Sequence, residues 1–272
     1  MRLTIHLAVI LALTVSTVPG ATQERSNIAC PESTAFADDL VNDPKRLDLL
    51  TRQAAACVRK RRPARAVALM TEIIRQIPSD ATAYLNRGSA QAVAGEVALA
   101  ISDYTAAVNL QPDLVEAWYN RGTTFMHLRR YENALADFTE AVRLKPDFAL
   151  AYCNRGLANF HLGDYDHALV DYSVALQQDN GCYLNRGTLY LTLGEYQKAI
   201  DDLTRAIGDK PSDAIALSRR GQAHEALGQS SQALDDFRTS LEADPRLQSA
   251  EEGFARLMAQ QPRSDGRARV PE

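Results

Sequence analysis

Six polar side chains recur at one place in a long internal period: Arg52, Asn86, Asn120, Asn154, Asn185 and Arg219. An asparagine side chain carries two donors and one acceptor, so a column of them at a fixed interval suits the amide groups of an extended peptide and places no demand on its side chains. Tyr119, Met126 and Phe160 are the candidate apolar anchors for a partner's side chains. Such chemistry recognises a partner and makes no bonds. The sequence has no Gly-x-Ser-x-Gly nucleophile elbow and no phosphate-binding glycine loop. Its Cys and His residues show no zinc spacing, so neither a metal nor a cofactor is expected. His127 and His161 sit one period apart without a third ligand and read as a polar, pH-sensitive wall.

A second pattern joins opposite charges. Arg87, Arg121, Arg155, Arg186 and Arg220 are matched by Asp103, Asp137, Asp171, Asp202 and Asp236, and both members are lost together where the earliest copy has Gln53 and Leu69. Joint presence and joint loss predict five structural ion pairs, the alternative being arginines that reach a ligand.

The elements that must position these groups are legible from the same period. Asn-Arg-Gly recurs at 86–88, 120–122, 154–156 and 185–187, with Tyr84, Trp118, Tyr152 and Tyr183 two residues before each Asn. Ala100, Ala134, Ala168 and Ala199 follow, then Tyr104, Phe138, Tyr172 and Leu203, then Ala107, Ala141, Ala175 and Ala206, and in three copies a proline (Pro112, Pro146, Pro211). In order and period this resembles the tetratricopeptide repeat, a helix-turn-helix unit. The resemblance implies an all-α fold, an α-solenoid coiled as a right-handed superhelix, with copies at 47–80, 81–114, 115–148, 149–179, 180–213 and 214–247. Small residues let paired helices approach, large ones fill the space around them, and proline ends the second helix. The resemblance also implies that first helices line a concave groove holding Arg52, the four Asn and Arg219. Lys is absent from the positions that a chaperone carboxylate clamp of this family would need.

A C-terminal amphipathic helix, 248–261, with Phe254, Leu257 and Met258 on one side, is expected to cap the stack; a polar tail from 262 to 272 is expected to be disordered. Met1 to Gly20 reads as a secretory signal peptide, followed by a segment, 21–46, with a short helix from Phe36 to Val41. Export makes four cysteines a disulfide inventory, with Cys30–Cys57 and Cys153–Cys182 as the candidate bridges. A chain with 30 basic and 34 acidic residues argues against nucleic acid as the partner. Its one basic cluster, Arg59-Lys60-Arg61-Arg62, falls at the turn of the first copy and reads as a solvated loop, with docking to an acidic protein or anionic surface as the other reading. The copy at 149–179 is short by three residues, and Asp179-Asn180-Gly181 replaces the proline turn, so the next helix should start late.

The expected function is a non-catalytic scaffold or adaptor of the cell envelope, exported to the periplasm or secreted. It would bind a protein or peptide and keep no membrane span after signal cleavage. The alternative is a self-assembling envelope component, a homo-oligomer joined through its ends or convex face.

Overall fold

The computed structural model describes residues 28–31, 43–178 and 181–260. The signal peptide, the 36–41 helix, Asp179-Asn180 and the tail from 262 lie outside the described residues. Within them the protein is an all-α repeat solenoid of thirteen helices without a strand: α1 Pro44–Arg59, α2 Pro63–Gln76, α3 Ala81–Ala94, α4 Val97–Leu110, α5 Val115–His127, α6 Tyr131–Leu144, α7 Ala149–Leu162, α8 Tyr165–Gln177, α9 Tyr183–Thr192, α10 Tyr196–Asp209, α11 Ala214–Ala226, α12 Ser230–Ala243 and α13 Gln248–Gln260. The chain divides into two compact units, one ending at Leu162 and the other beginning at Gly163.

Helix starts and close approaches follow from single residues. Asp80 accepts a hydrogen bond from the Ala83 N–H at 3.0 Å, and Asp213 accepts from Ile215 and Ala216, so orphan donors of α3 and α11 are satisfied by side-chain caps. A Cβ added to Gly88 would stand 2.9 Å from the Tyr104 ring, and one on Gly122 would stand 2.9 Å from Phe138. Gly187 stands in the same relation to Leu203, and Gly221 to Phe237. Each glycine removes the atom that would hold its helix off the next one. The side chains so admitted, Tyr104, Phe138, Leu203 and Phe237, are fully buried, as are Ala100, Ala134 and Ala199.

Helix contacts decide which layer is inner. In the first unit α1, α3, α5 and α7 touch in series, whereas α2, α4 and α6 do not touch one another. In the second, α9, α11 and α13 touch in series, and α8, α10 and α12 do not. The first helix of each pair therefore lies in the tighter layer, which is the concave side of each stack.

Two local features sharpen the sequence reading. Helix α9 starts at Tyr183 and has 10 residues, where α11 has 13, so the deletion before it shortens its first turn. Helix α13 buries Ala250, Gly253 and Leu257, while Met258 stays 46% exposed. The packed stripe is set by residues spaced three and four apart, with Phe254 partly buried at its edge.

Candidate partner-binding surface

The asparagine column occupies the inner helices but is not uniformly open. In the first unit, Asn86 and Asn120 are 5% and 3% exposed, and Asn154 is half-buried. Asn120 donates through Nδ2 to Ser89 Oγ at 3.4 Å; Ser89 also receives the Tyr104 hydroxyl at 3.3 Å and donates to the Leu85 carbonyl. Asn154 Nδ2 donates to the Tyr119 hydroxyl at 2.9 Å. Two amide atoms of these asparagines have no hydrogen-bond partner, Asn86 Nδ2, a donor, and Asn120 Oδ1, an acceptor; Arg52 Nε is a third such atom in the column. Burial without a partner is costly, and both amide atoms are closed to solvent against the neighbouring helices.

Tyr119 is 4% exposed and serves packing first: its ring lies 4.8 Å from Phe148 and 5.8 Å from Phe138, centroid to centroid. Burial raises its hydroxyl's pKa, so it stays a neutral phenol. Met126 and Phe160 are half-buried, which leaves them the more accessible apolar groups of this wall. His161 stacks on Tyr131 at 4.5 Å. Burial lowers the pKa of His127 and, together with Arg129, that of His161, so both favour the neutral ring. Arg52, at the start of the column, is already bound to Asp48 at 2.7 Å.

In the second unit Asn185 is half-buried on α9 and Arg219 half-buried on α11. Burial pulls the Arg219 pKa down from the ordinary arginine value, and no carboxylate among the described residues pairs with it. A half-buried guanidinium without a counter-ion is the strongest unspent electrostatic feature of that wall.

The charged pairs lie between the helices of each pair. Arg87, Arg121, Arg186 and Arg220 each make two hydrogen bonds to the carboxylate of Asp103, Asp137, Asp202 and Asp236, at 2.6 to 2.9 Å. The Asp partners raise the pKa of Arg87 and Arg186. Arg155 and Asp171 lie in different units, and Arg155 sits 5.3 Å from the centre of the Tyr152 ring.

A third member of this arrangement was not read from the sequence. Each arginine also donates to a hydroxyl on the preceding second helix: Thr71, Thr105, Ser173 and Thr204, at 3.0 to 3.3 Å. The signal was present, since the residue two after each Asp is Thr105, Thr139, Ser173, Thr204 and then Arg238. The hydroxyl disappears at Arg238, where the following helix has Phe254 in place of the arginine. An open cleft of about 600 Å³ borders this network, lined by Trp118, Arg121, Phe125 and Asp137 among others, but its charges are spent on each other.

Cys30 and Cys57 form a disulfide with Cα atoms 4.7 Å apart, and both side chains join the core of α1 and α2. Arg65 Nη1 donates to the Pro31 carbonyl at 2.7 Å and fixes the same strap. Cys153 and Cys182 are both buried, one in each unit. Among the described residues no helix is long and apolar enough to cross a membrane.

One family model, described as Tetratricopeptide repeat, matches residues 115–148, and a second of the same description matches 51–115 and 184–247; together they cover more than half of the chain. No curated protein matches. Among solved structures, PilF of Pseudomonas aeruginosa aligns with a TM-score of 0.69 at 16% identity, over 80% of this chain and 98% of that one. YrrB, described as a TPR protein with an unusual peptide-binding site, aligns with a TM-score of 0.58 at 18% identity, over 68% and 97%. MamA gives 0.55 at 27% identity, over 61% and 92%. At 16% and 18% identity, PilF and YrrB show a shared fold.

Proposed function

Because the chain belongs to the tetratricopeptide repeat family, whose members are protein-interaction scaffolds, we propose that it is a non-catalytic adaptor that binds an extended protein segment on its inner helices. The observation that carries this reading is the set of half-buried polar groups on first helices, Asn154, Asn185 and Arg219, the last without a carboxylate partner among the described residues. An extended backbone presents a donor and an acceptor at every residue, which an asparagine amide matches. Asn154 and Asn185 would continue the contact in their respective units, Met126 and Phe160 would receive apolar side chains, and Arg219 would meet a carboxylate of the guest.

Export to the envelope is part of the proposal. The Cys30–Cys57 bridge supports it, since structural disulfides persist in oxidising compartments. A second bridge, Cys153–Cys182, and the fifth ion pair, Arg155–Asp171, belong to the same reading. Mass spectrometry of unreduced peptides tests the bridge.

Affinity capture from an envelope extract tests the inner wall by comparing the native chain with Asn154→Ala/Asn185→Ala. These two asparagines are the more exposed ones, so the variant should melt close to the native protein. The expected result is a partner recovered by the native chain and lost by the variant. Equal recovery of every partner by both would remove Asn154 and Asn185 as recognition groups.

A further inference from the structure

The turns between the paired helices of the first unit differ in charge though they share one backbone. In each, the N–H of one residue bonds back to a carbonyl five residues earlier: Arg62 to Cys57, Glu96 to Gln91, and Arg130 to Phe125. The second unit repeats this with Glu195 to Tyr190 and Gln229 to His224. The residue just before that N–H has positive φ in every case. It is Gly95 (84°), Gly194 (75°) and Gly228 (74°), but Arg61 (56°) and Arg129 (57°) in two turns of the first unit; Gly163 (81°) holds the same conformation before α8. Glycine adopts this conformation freely and a side chain does not. The two arginines therefore occupy a place that the fold itself would give to glycine.

Charge changes at the next residue as well. It is Glu96, Asp164, Glu195 or Gln229 after glycine, and Arg62 or Arg130 after arginine. The result is two arginine doublets on one edge of the first unit, the earlier one extended by Arg59 and Lys60. All of these cations are exposed, and none forms an ion pair among the described residues. The acidic side chains of these turns are Glu96 and Glu132, and neither is paired with them. Beside the first doublet is a concavity of about 570 Å³, lined by Arg61, Arg62, Pro63, Ala64, Arg65 and Ala94. The helices α1, α3 and α5 touch in series, so the doublets stand two interaxial steps apart, about 20 Å.

We propose that this edge is a second docking surface, for an acidic protein segment whose carboxylates fall in two groups about 20 Å apart. It stands whether or not the asparagine column binds a guest. Complementarity of charge favours this occupant: the cations are concentrated at two points in a chain of net charge −4. A flat anionic membrane is disfavoured, because it would also meet Glu96 between the doublets and the net negative charge behind them.

The test is fluorescence anisotropy of a labelled twelve-glutamate peptide with the full chain at low salt. A parallel arm uses phosphatidylcholine vesicles containing phosphatidylglycerol. The native chain should bind the peptide, and affinity should fall at least tenfold on raising NaCl to a few hundred millimolar. The variant Arg61→Gly/Arg62→Glu/Arg129→Gly/Arg130→Glu installs the residue types found in the other turns. It should bind at least tenfold more weakly without a lower melting temperature. Each doublet replaced alone should lose a comparable share. Lys198→Glu/Lys210→Glu, which changes net charge elsewhere, should stay within twofold of native. Absence of peptide binding, equal binding by the quadruple variant, an equal loss in the Lys198/Lys210 control, or preference for the vesicles would each overturn the proposal.

Discussion

The interhelix arginine network and the inner asparagine column are built on the same period and end in opposite states. Arg87, Arg121, Arg186 and Arg220 each spend their guanidinium on two carboxylate oxygens and a hydroxyl, tying three helices together. The inner column leaves a donor on Asn86 and an acceptor on Asn120 unused. Repetition by itself therefore does not reveal whether a residue packs or recognises. A saturated set holds copies in register, and the unsaturated atoms at the same spacing lie buried against neighbouring helices.

Breaking the saturated set should produce the largest effect. Side-chain exposure is 14% for Arg121 and 4% for Asp137, so Asp137→Ala leaves a largely buried guanidinium unpaired. We expect a loss of about 3–5 kcal/mol by urea denaturation. Arg121→Ala/Asp137→Ala should cost less than the two single changes summed; strict additivity would show that the groups are not coupled. Gly122→Ala comes next, since its Cβ would meet the Phe138 ring at 2.9 Å. A loss of roughly 1–3 kcal/mol is expected, and Phe138→Leu in the same chain should return part of it.

The unsaturated column should respond differently. Asn154→Ala removes one hydrogen bond to Tyr119 and should cost about 1 kcal/mol in stability, while partner recovery falls by much more. A loss of recovery no larger than the loss of folded protein would erase the contrast between the two regions. The smallest effect is a gain. Arg61→Gly relieves a left-handed residue at φ 56° but increases the freedom of the unfolded chain, for a net stabilisation of about 0.5 kcal/mol read as a higher melting temperature.

Much of the fold was legible because the period places Gly88, Ala100 and Tyr104 in one mutual contact and repeats that contact along the chain. The Arg–Asp pairs were legible from joint loss at Gln53 and Leu69. The asparagine column was only half legible. Its spacing placed it on inner helices, but spacing says nothing of depth, and Asn86 and Asn120 sink against neighbouring helices while Asn154 stays half-buried. Tyr119 illustrates the same limit: the position that suggested an anchor is filled by a ring packed between Phe138 and Phe148. The hydroxyl of Thr105 escaped notice because its partner Arg121 belongs to the next copy.

Phe237 is enclosed from two directions: a Cβ added to Gly221 would stand 2.9 Å from its ring, and one added to Gly253 would run into the same ring. Linear arrays of repeats tend to fray from their outermost units inward. With an aromatic wedged between α11 and α13, α12 and α13 should exchange their amide hydrogens together, as one cooperative block, and Phe237 would act as their clasp.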